Sequence, residues 1–446
     1  MLDFLLIIVF CVLGVLVGIV TGLLPGLHVN NVALIMLSAS NAIVAVCSPL
    51  FAYGISEQFI LILIAGFMIS VSISHSFHDT IPTTFIGAPE EDTALSVLPA
   101  HSLLLKGEGY KAVALAAMGS YGAILVCIAL LYPLRFIIGP PLSLYTAVRE
   151  IMVWVLIAIA ILMIATEKTR ITELGNQGKL PSILGMLFAA FVFVLSGVFG
   201  LLVLDFHLVS PIGLPAPVLF PALAGLFGVP TLLNSLLSKP AIPEQKIEPL
   251  VQNRIEKKSS IVSILTGSLA GIFVSIVPGL TTATGTVLAM NIRQKSSQEQ
   301  TIVTLSSVNT AATFSVTVML FIILRARSGV TIAVSQLIAI EPWQSLLMPA
   351  GLIYLLMFLV LSGILSYFLT LYIGRLFAKK FHSIPYQALV VFTLVFVFAL
   401  VVLFTGVLGL IVLLAATCIG FLPICWGVRR SHCMGVLLVP IILYFL

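Results

Sequence analysis

Seven titratable side chains crowd one stretch of a chain apolar enough to lie in a membrane: His75, His78, Asp79, Glu90, Glu91, Asp92 and His101, in SHSFHDTIPTTFIGAPEEDTALSVLPAH. A carboxylate beside carbonyl and hydroxyl oxygens, Thr93 among them, can hold Na⁺, or can carry H⁺ when burial raises its pKa. Asp79, Glu90, Glu91, Asp92 and Thr93 are therefore candidates for a coupling-ion site, and such an ion is the only cofactor expected. A bare acid at mid-bilayer costs at least ~2.5 kcal/mol, so these groups are either shallow or paired. A plainer role is open to them as well: Pro89 starts a helix, and Glu90, Glu91 and Asp92 complement its dipole in the first turn. His75 and His78 lie three apart and can share a helix face. They lack a third ligand, and no nucleophile–base pair accompanies them, so neither a metal site nor an enzyme is expected.

Two further interruptions have the chemistry of an anion site. In GIVTGLLPGLHVNN, Pro25 and Gly26 break an apolar run, and a new helix is predicted to begin near His28. VPGLTTATG does the same with Pro278 and Gly279, followed by Thr281, Thr282 and Thr284. Proline removes an intrahelical donor. The next helix then starts with free N–H groups and the positive end of its dipole, a ready anion site. Gly26, His28, Asn30, Asn31, Gly279, Thr281, Thr282 and Thr284 are the candidate ligands there. The alternative is a Pro-kinked helix with glycines for close packing. Arg325 and Arg327, in RARSG, add a second kind of anion binder, since guanidinium groups grip carboxylates bidentately. They could equally pair with Glu90, Glu91 or Asp92, or mark a different span count in that region.

The elements that must position these groups are membrane helices. The chain is 60% hydrophobic and 8% charged, against about 25% charged for soluble domains. An all-α polytopic membrane protein follows. MLDFLLIIVF holds Asp3 and no basic residue, so it reads as a retained first helix rather than a signal peptide. The net charge of +5 sits mostly in loops and implies orientation, not nucleic acid. Lys/Arg-bearing loops at 106–111, 167–179, 239–258, 293–300, 375–380 and 429–430 are expected on the cytoplasmic side, with the N-terminus outside. Between them the apolar runs 112–133, 151–166, 181–204, 213–237, 301–324, 350–373, 384–403 and 405–425 return in pairs. Residues 78–105 and 325–349 read as re-entrant segments, since non-helical backbone at membrane depth must line protein or a cavity.

The two breaks belong to a repeat. Gly14, Gly18, Pro25, Gly26 and Leu27 match Gly267, Gly271, Pro278, Gly279 and Leu280, each pair 253 positions apart (278 − 25, for example). A weaker match joins DTALSVL to VTIAVSQL. Five full spans separate the copies, so they should point opposite ways. The predicted architecture is an inverted-topology repeat with broken helical hairpins, about ten full spans in all: 1–238 (hairpin 4–47, re-entrant 78–105), a solvated cytoplasmic linker 239–258, and 259–446 (hairpin 262–291, re-entrant 325–349). Such repeats are the signature of secondary transporters. Acids near an anion site would repel the substrate unless cations or the arginines offset them, which favours cation-coupled symport over a plain anion channel. A carrier of polyprenyl-phosphate head groups, reaching the same dipole site from lipid, is the alternative.

GLLPGLHVNNVAL, TFIGAPEEDTALSVLPAHSLLLKGEGYKAVALAAMGSYGA and VPGLTTATGTVL resemble the large membrane subunit of the tripartite tricarboxylate transporters, and more closely that family's archaeal-type branch. The densest match runs through Gly87, Pro89, Thr93, Ala94, Leu95, Pro99, Lys106, Gly107 and Glu108. The resemblance implies a secondary carrier of small organic anions, such as di- or tricarboxylates, driven by an ion gradient. It also implies two partners, a small membrane subunit and an extracytoplasmic binding protein. The chain departs from the family pattern at Glu90, Glu91 and Asp92, and again at Arg325 to Gly329.

Overall fold

The computed structural model describes residues 2–24, 29–87, 97–167, 180–204, 206, 211, 218–238, 243–248, 250, 252–277, 282–292, 297–381 and 386–446. Within them every regular element is helical. The first half holds α1 (Leu2–Leu23), α2 (Val29–Cys47), α3 (Glu57–His78), α4 (Thr80–Phe85), α5 (Val97–Leu104) and α6 (Gly109–Ala129). It continues with α7 (Leu131–Ile138), α8 (Leu144–Glu150), α9 (Met152–Ala165), α10 (Leu180–Val203), α11 (Leu219–Leu223) and α12 (Val229–Ser238). The second half holds α13 (Arg254–Ile276), α14 (Thr282–Ile292), α15 (Gln298–Ile322), α16 (Gly329–Leu337), α17 (Ala350–Phe381), α18 (Tyr386–Cys425) and α19 (Gly435–Phe445). Among the described residues nine helical stretches are long and apolar enough to cross a membrane, and α8 with α9, bent by 69°, makes a tenth. The protein is a polytopic helical membrane protein.

The repeated glycines are packing faces. A Cβ on Gly14 would lie 2.7 Å from Ser70 Cβ, and one on Gly18 would lie 2.5 Å from Ser74 Cβ. Glycine every fourth residue lets α1 lie directly on α3, backbone to backbone. On α13, a Cβ on Gly267 would meet Ser307 Cβ at 2.7 Å, and one on Gly271 would meet Ala311 Cβ at 2.8 Å. The partner positions repeat too: Ser70 and Ser74 correspond to Ser307 and Ala311, 237 apart (307 − 70). At that same offset Val71 matches Val308 and Phe77 matches Phe314. The offset falls by 16 (253 − 237), and half of that is the middle helix, which shortens from 19 residues in α2 to 11 in α14.

Chain directions follow from the same contacts. Gly14 and Gly18 meet Ser70 and Ser74 in order, so α1 and α3 are parallel, as are α13 and α15. Gly119 faces Val303 and Cys127 faces Ser315, so α6 runs with α15. Phe59 packs on Tyr354 and Gly66 on Phe358, so α17 runs with α3. Between α6 and α17 the order reverses, Val113 with Gly374, Tyr121 with Tyr367, and Ile124 with Gly363. The two copies are therefore opposed, and each sends a long helix onto the other. The inversion expected from an odd number of spans is present in the packing.

Boundaries differ from the apolar count for physical reasons. Helix α13 starts at Arg254, because Asn253 and Glu256 form a capping box and let charged residues fill the first turns. Residues 78–85, the start of the expected re-entrant segment, continue α3 into α4 as one stretch, Glu57–Phe85, of 29 residues. The runs 384–403 and 405–425 remain two helices within α18, meeting at a kink at Gly406, whose φ of 66° and ψ of −165° are accessible mainly to glycine.

Within the expected linker, residues 243–248 dock on the turn before α6. Gln245 is buried, accepts the N–H of Gly109 at 2.9 Å and donates to Leu104 O at 3.2 Å. Lys246 N–H donates to Gly107 O at 2.7 Å, and Gly107 sits at φ 77° with no room for a Cβ against Glu244 O. The Lys-Gly-Glu motif also holds the second copy, since Lys106 reaches Gln298 at 3.2 Å and Lys111 reaches Glu299 at 2.6 Å. Residues 106–111, 243–248 and 297–300 thus share one face. A second body, built from α9 to α12, α18 and α19, has its own core around Leu156, Phe193, Leu226 and Leu438. Buried Glu167 ties it together, pairing with Arg429 at 2.8 Å and His432 at 2.6 Å.

Candidate functional site

Three helix starts converge on one cavity of about 570 Å³. Val29 and Asn30 bring the start of α2, Thr282 the start of α14, and Ser328 the cap of α16. Helix α16 approaches so closely that a Cβ on Gly329 would lie 2.6 Å from Asn30 Cγ. The walls are the two repeat helices at matching positions. Ser72, His75 and Ser76 of α3 stand at the 237 offset from Asn309, Ala312 and Thr313 of α15, and all six line the cavity (309 − 72). Segment 325–349 thus delivers a short helix to the start of α2.

The charge in this cavity is positive. Arg149, Arg325 and Arg327 line it, and among the described lining residues there is no carboxylate. The turn carrying Arg327 is fixed by Thr331, whose hydroxyl accepts the backbone N–H groups of Arg327 at 3.0 Å and Ser328 at 2.9 Å. Arg327 Nη2 donates to Tyr145 O–H at 3.3 Å, and the guanidinium stands 5.5 Å from the centre of that ring. Its Nε and Nη1 are buried and have no partner among the described residues. A half-buried guanidinium with unspent donors, among helix starts whose dipoles favour negative charge, is suited to an anion.

The acid lies behind the wall. Asp79 is 2% exposed and accepts a hydrogen bond from Asn309 Nδ2 at 3.2 Å, across the junction of the two copies. His75 has Nδ1 3.1 Å from Thr21 Oγ1, which also lies 3.1 Å from Gly18 O. His78 is fully buried on Ser74 O at 2.7 Å. Among the described residues no group of three or more His, Cys, Asp or Glu side chains could hold a metal ion.

Of the residues singled out in the sequence, Asn30, Thr282, Arg325 and Arg327 meet in the cavity, and Asp79 stands one layer away. Pro25, Gly26, His28, Pro89, Glu90, Glu91, Asp92, Thr93, Pro278, Gly279 and Thr281 lie outside the described residues, as do the side chains of Asn31 and Thr284. Sequence reasoning missed Tyr145, Arg149, Asn309 and Thr313. For the last two the signal was there: SSVNTAATF is a polar run inside a long apolar helix.

A helical membrane protein of opposed repeats, with a cationic cavity between them, has the construction of a permease. The sequence profile of the tripartite tricarboxylate transporter TctA family matches residues 8–435, and the chain belongs to that family. It is 28% identical over 448 residues to an uncharacterized protein of Methanocaldococcus jannaschii, covering 98% of this chain and 99% of that one. No solved structure matches the chain. The family is defined by three-part transporters, so a membrane permease with partner subunits is the class to which the cavity belongs.

Proposed function

We propose that the protein carries a small organic anion, a di- or tricarboxylate, by cation-coupled symport with alternating access. One observation bears most of the weight. Arg327, whose Nε and Nη1 are buried with no partner among the described residues, lines a cavity that also holds Arg149, Arg325 and the starts of α2, α14 and α16. Several separated cationic groups suit an anion with several separated charges, and a volume of about 570 Å³ is in the ordinary range for a small-molecule site. A lipid head group carries its charge at one point and needs an opening to the acyl region, so it accounts for fewer of these groups. In this reading the N-terminus lies outside and residues 239–258 are cytoplasmic. A small membrane subunit and an extracytoplasmic binding protein deliver the substrate.

The test is uptake of labelled citrate and succinate into liposomes holding the purified protein, under imposed Na⁺ or H⁺ gradients, with the partner subunits added if present in the source. Gradient-driven accumulation of either acid supports the reading. Binding of neither acid, together with binding of a polyprenyl phosphate, overturns it.

A further inference from the structure

We propose that Arg430 is a second anion station, set at the inner end of the seam that holds the anion cavity, where the carried acid pauses before release; this deepens the anion carriage proposed above and rests on it. The first observation is an unbalanced charge. Arg430 is half-buried, and among the described residues its one hydrogen-bond partner is the hydroxyl of Thr231. That hydroxyl donates its own hydrogen to Phe227 O at 2.7 Å, so it serves the guanidinium as an acceptor. A neutral acceptor satisfies one donor and offsets no charge. A cation drawn out of water calls for an anion beside it.

The second observation is the residue next to it. Arg429 is committed to the fold: its Nε donates to Glu167 at 2.8 Å, and its Nη2 donates to Thr166 O at 2.7 Å and to Thr166 Oγ1 at 3.0 Å. The same Glu167 oxygen also lies 2.6 Å from His432 Nε2. The acid of this turn is thus shared by two partners, and Arg430 pairs with no described carboxylate. Two adjacent arginines therefore differ in kind. One holds the second body together, and the other has charge and donors to offer a ligand.

The third observation is position. Arg430 opens the turn Arg430–Met434, which leads straight into α19, and the far end of α19, Tyr444 and Phe445, lines the anion cavity. The 11 residues of α19, at a rise of about 1.5 Å each, put the two places about 16 Å apart. The turn also packs on α14, whose first residue, Thr282, lines the same cavity. Across the seam, Val229 and Leu232 of α12 share a core with Ile81 and Phe85 of α4, and a Cβ on Gly87 would stand 3.9 Å from Thr231 Cγ2. Arg430 therefore stands where the second body meets the repeats, as the cavity does, on the side where residues 167 and 429 pair. An acid held by Arg149, Arg325 and Arg327 leaves them slowly unless another cation takes it on. Sites in series are how a pore lets a well-bound ion leave.

The experiment labels the purified full chain, in detergent, with phenylglyoxal, which modifies arginine side chains, and reads each arginine by tandem mass spectrometry. Citrate and succinate are the probes, against chloride at equal ionic strength and pH. The expected result is that one of the acids slows labelling of Arg430 threefold or more and leaves Arg429 unchanged. That protection should persist in Arg327→Ala, which removes the cavity's binder and keeps the station. In liposomes, Arg430→Gln should slow efflux of preloaded acid tenfold or more, and Arg430→Lys should recover part of the rate. Arg429→Gln should lower the thermal midpoint with efflux per folded protein unchanged. Labelling of Arg430 unaffected by either acid, in a protein whose Arg327 is protected, overturns the station and leaves the cavity reading standing. Protection of neither arginine overturns both. Efflux at the parent rate in folded Arg430→Gln overturns the role in release.

Discussion

Arg327 offers the sharpest perturbation of the cavity, because its surroundings divide charge from geometry. Its Nη2 is committed to Tyr145, and its Nε and Nη1 are buried without partners among the described residues. Truncating one side of a buried, hydrogen-bonded charge pair costs about 2–5 kcal/mol, which is a Kd about 30- to 4,000-fold weaker. Arg327→Ala should therefore weaken binding of the preferred acid by at least 30-fold. Arg327→Lys keeps the charge and loses the planar fork. A single charge-assisted hydrogen bond is worth about 1.5–3 kcal/mol, so lysine should fall about 10- to 100-fold short of the parent. Isothermal titration of citrate or succinate into the purified protein, at fixed pH and salt, measures both. Binding of Arg327→Ala within threefold of the parent, in a variant with unchanged thermal unfolding, refutes the assignment of this cavity to the anion.

Further outcomes can be stated together. Tyr145→Phe keeps the ring beside Arg327 and loses one hydrogen bond, worth about 0.5–1.5 kcal/mol, so the same titration should show a loss of about two- to tenfold. Tyr145→Leu also removes the cation–π contact and should lose more. Gly18→Leu and Gly271→Leu drive side chains into Ser74 and Ala311. Overpacking typically costs about 1–3 kcal/mol, and both should lower the thermal midpoint while Gly54→Ala, where nothing lies within 4 Å, is limited to the strain of its φ of 82°. Gln245→Ala strips the partners from Gly109 N–H and Leu104 O. Leaving buried groups unsatisfied costs about 1–3 kcal/mol, so proteolysis within the linker should accelerate several-fold.

Much of this architecture is written locally in the chain. The glycine pairs at 14, 18, 267 and 271 gave the repeat because each must meet a neighbouring backbone, and no other side chain fits there. The expected cytoplasmic loops meet each other, Lys106 and Lys111 with Gln298 and Glu299, and Glu167 with Arg429. Asn30 and Thr282 follow the breaks at Pro25 and Pro278 directly, so a local rule found them. Tyr145 and Arg149 obey no local rule. They enter the cavity because α8 meets α9 at a 69° bend, a property of tertiary packing. The first turns of α13 were missed since counting apolar residues overlooks Lys257 and Lys258, which a capped helix end carries without difficulty.

The central claim is that helix starts from the two opposed copies meet where the anion binds, and cross-linking tests it most directly. A Cβ on Gly329 would lie 2.9 Å from Asn30 Cβ, near the separation of about 3.5–4.5 Å that a disulfide spans. The double variant Asn30→Cys and Gly329→Cys should form a disulfide under mild oxidation, seen by mass spectrometry of the joined peptides, and citrate or succinate should slow its formation. Gly14→Cys with Ser70→Cys, on α1 and α3, is the control pair. If the control closes and residues 30 and 329 do not, or close at a rate no acid changes, the convergence on one anion site is contradicted.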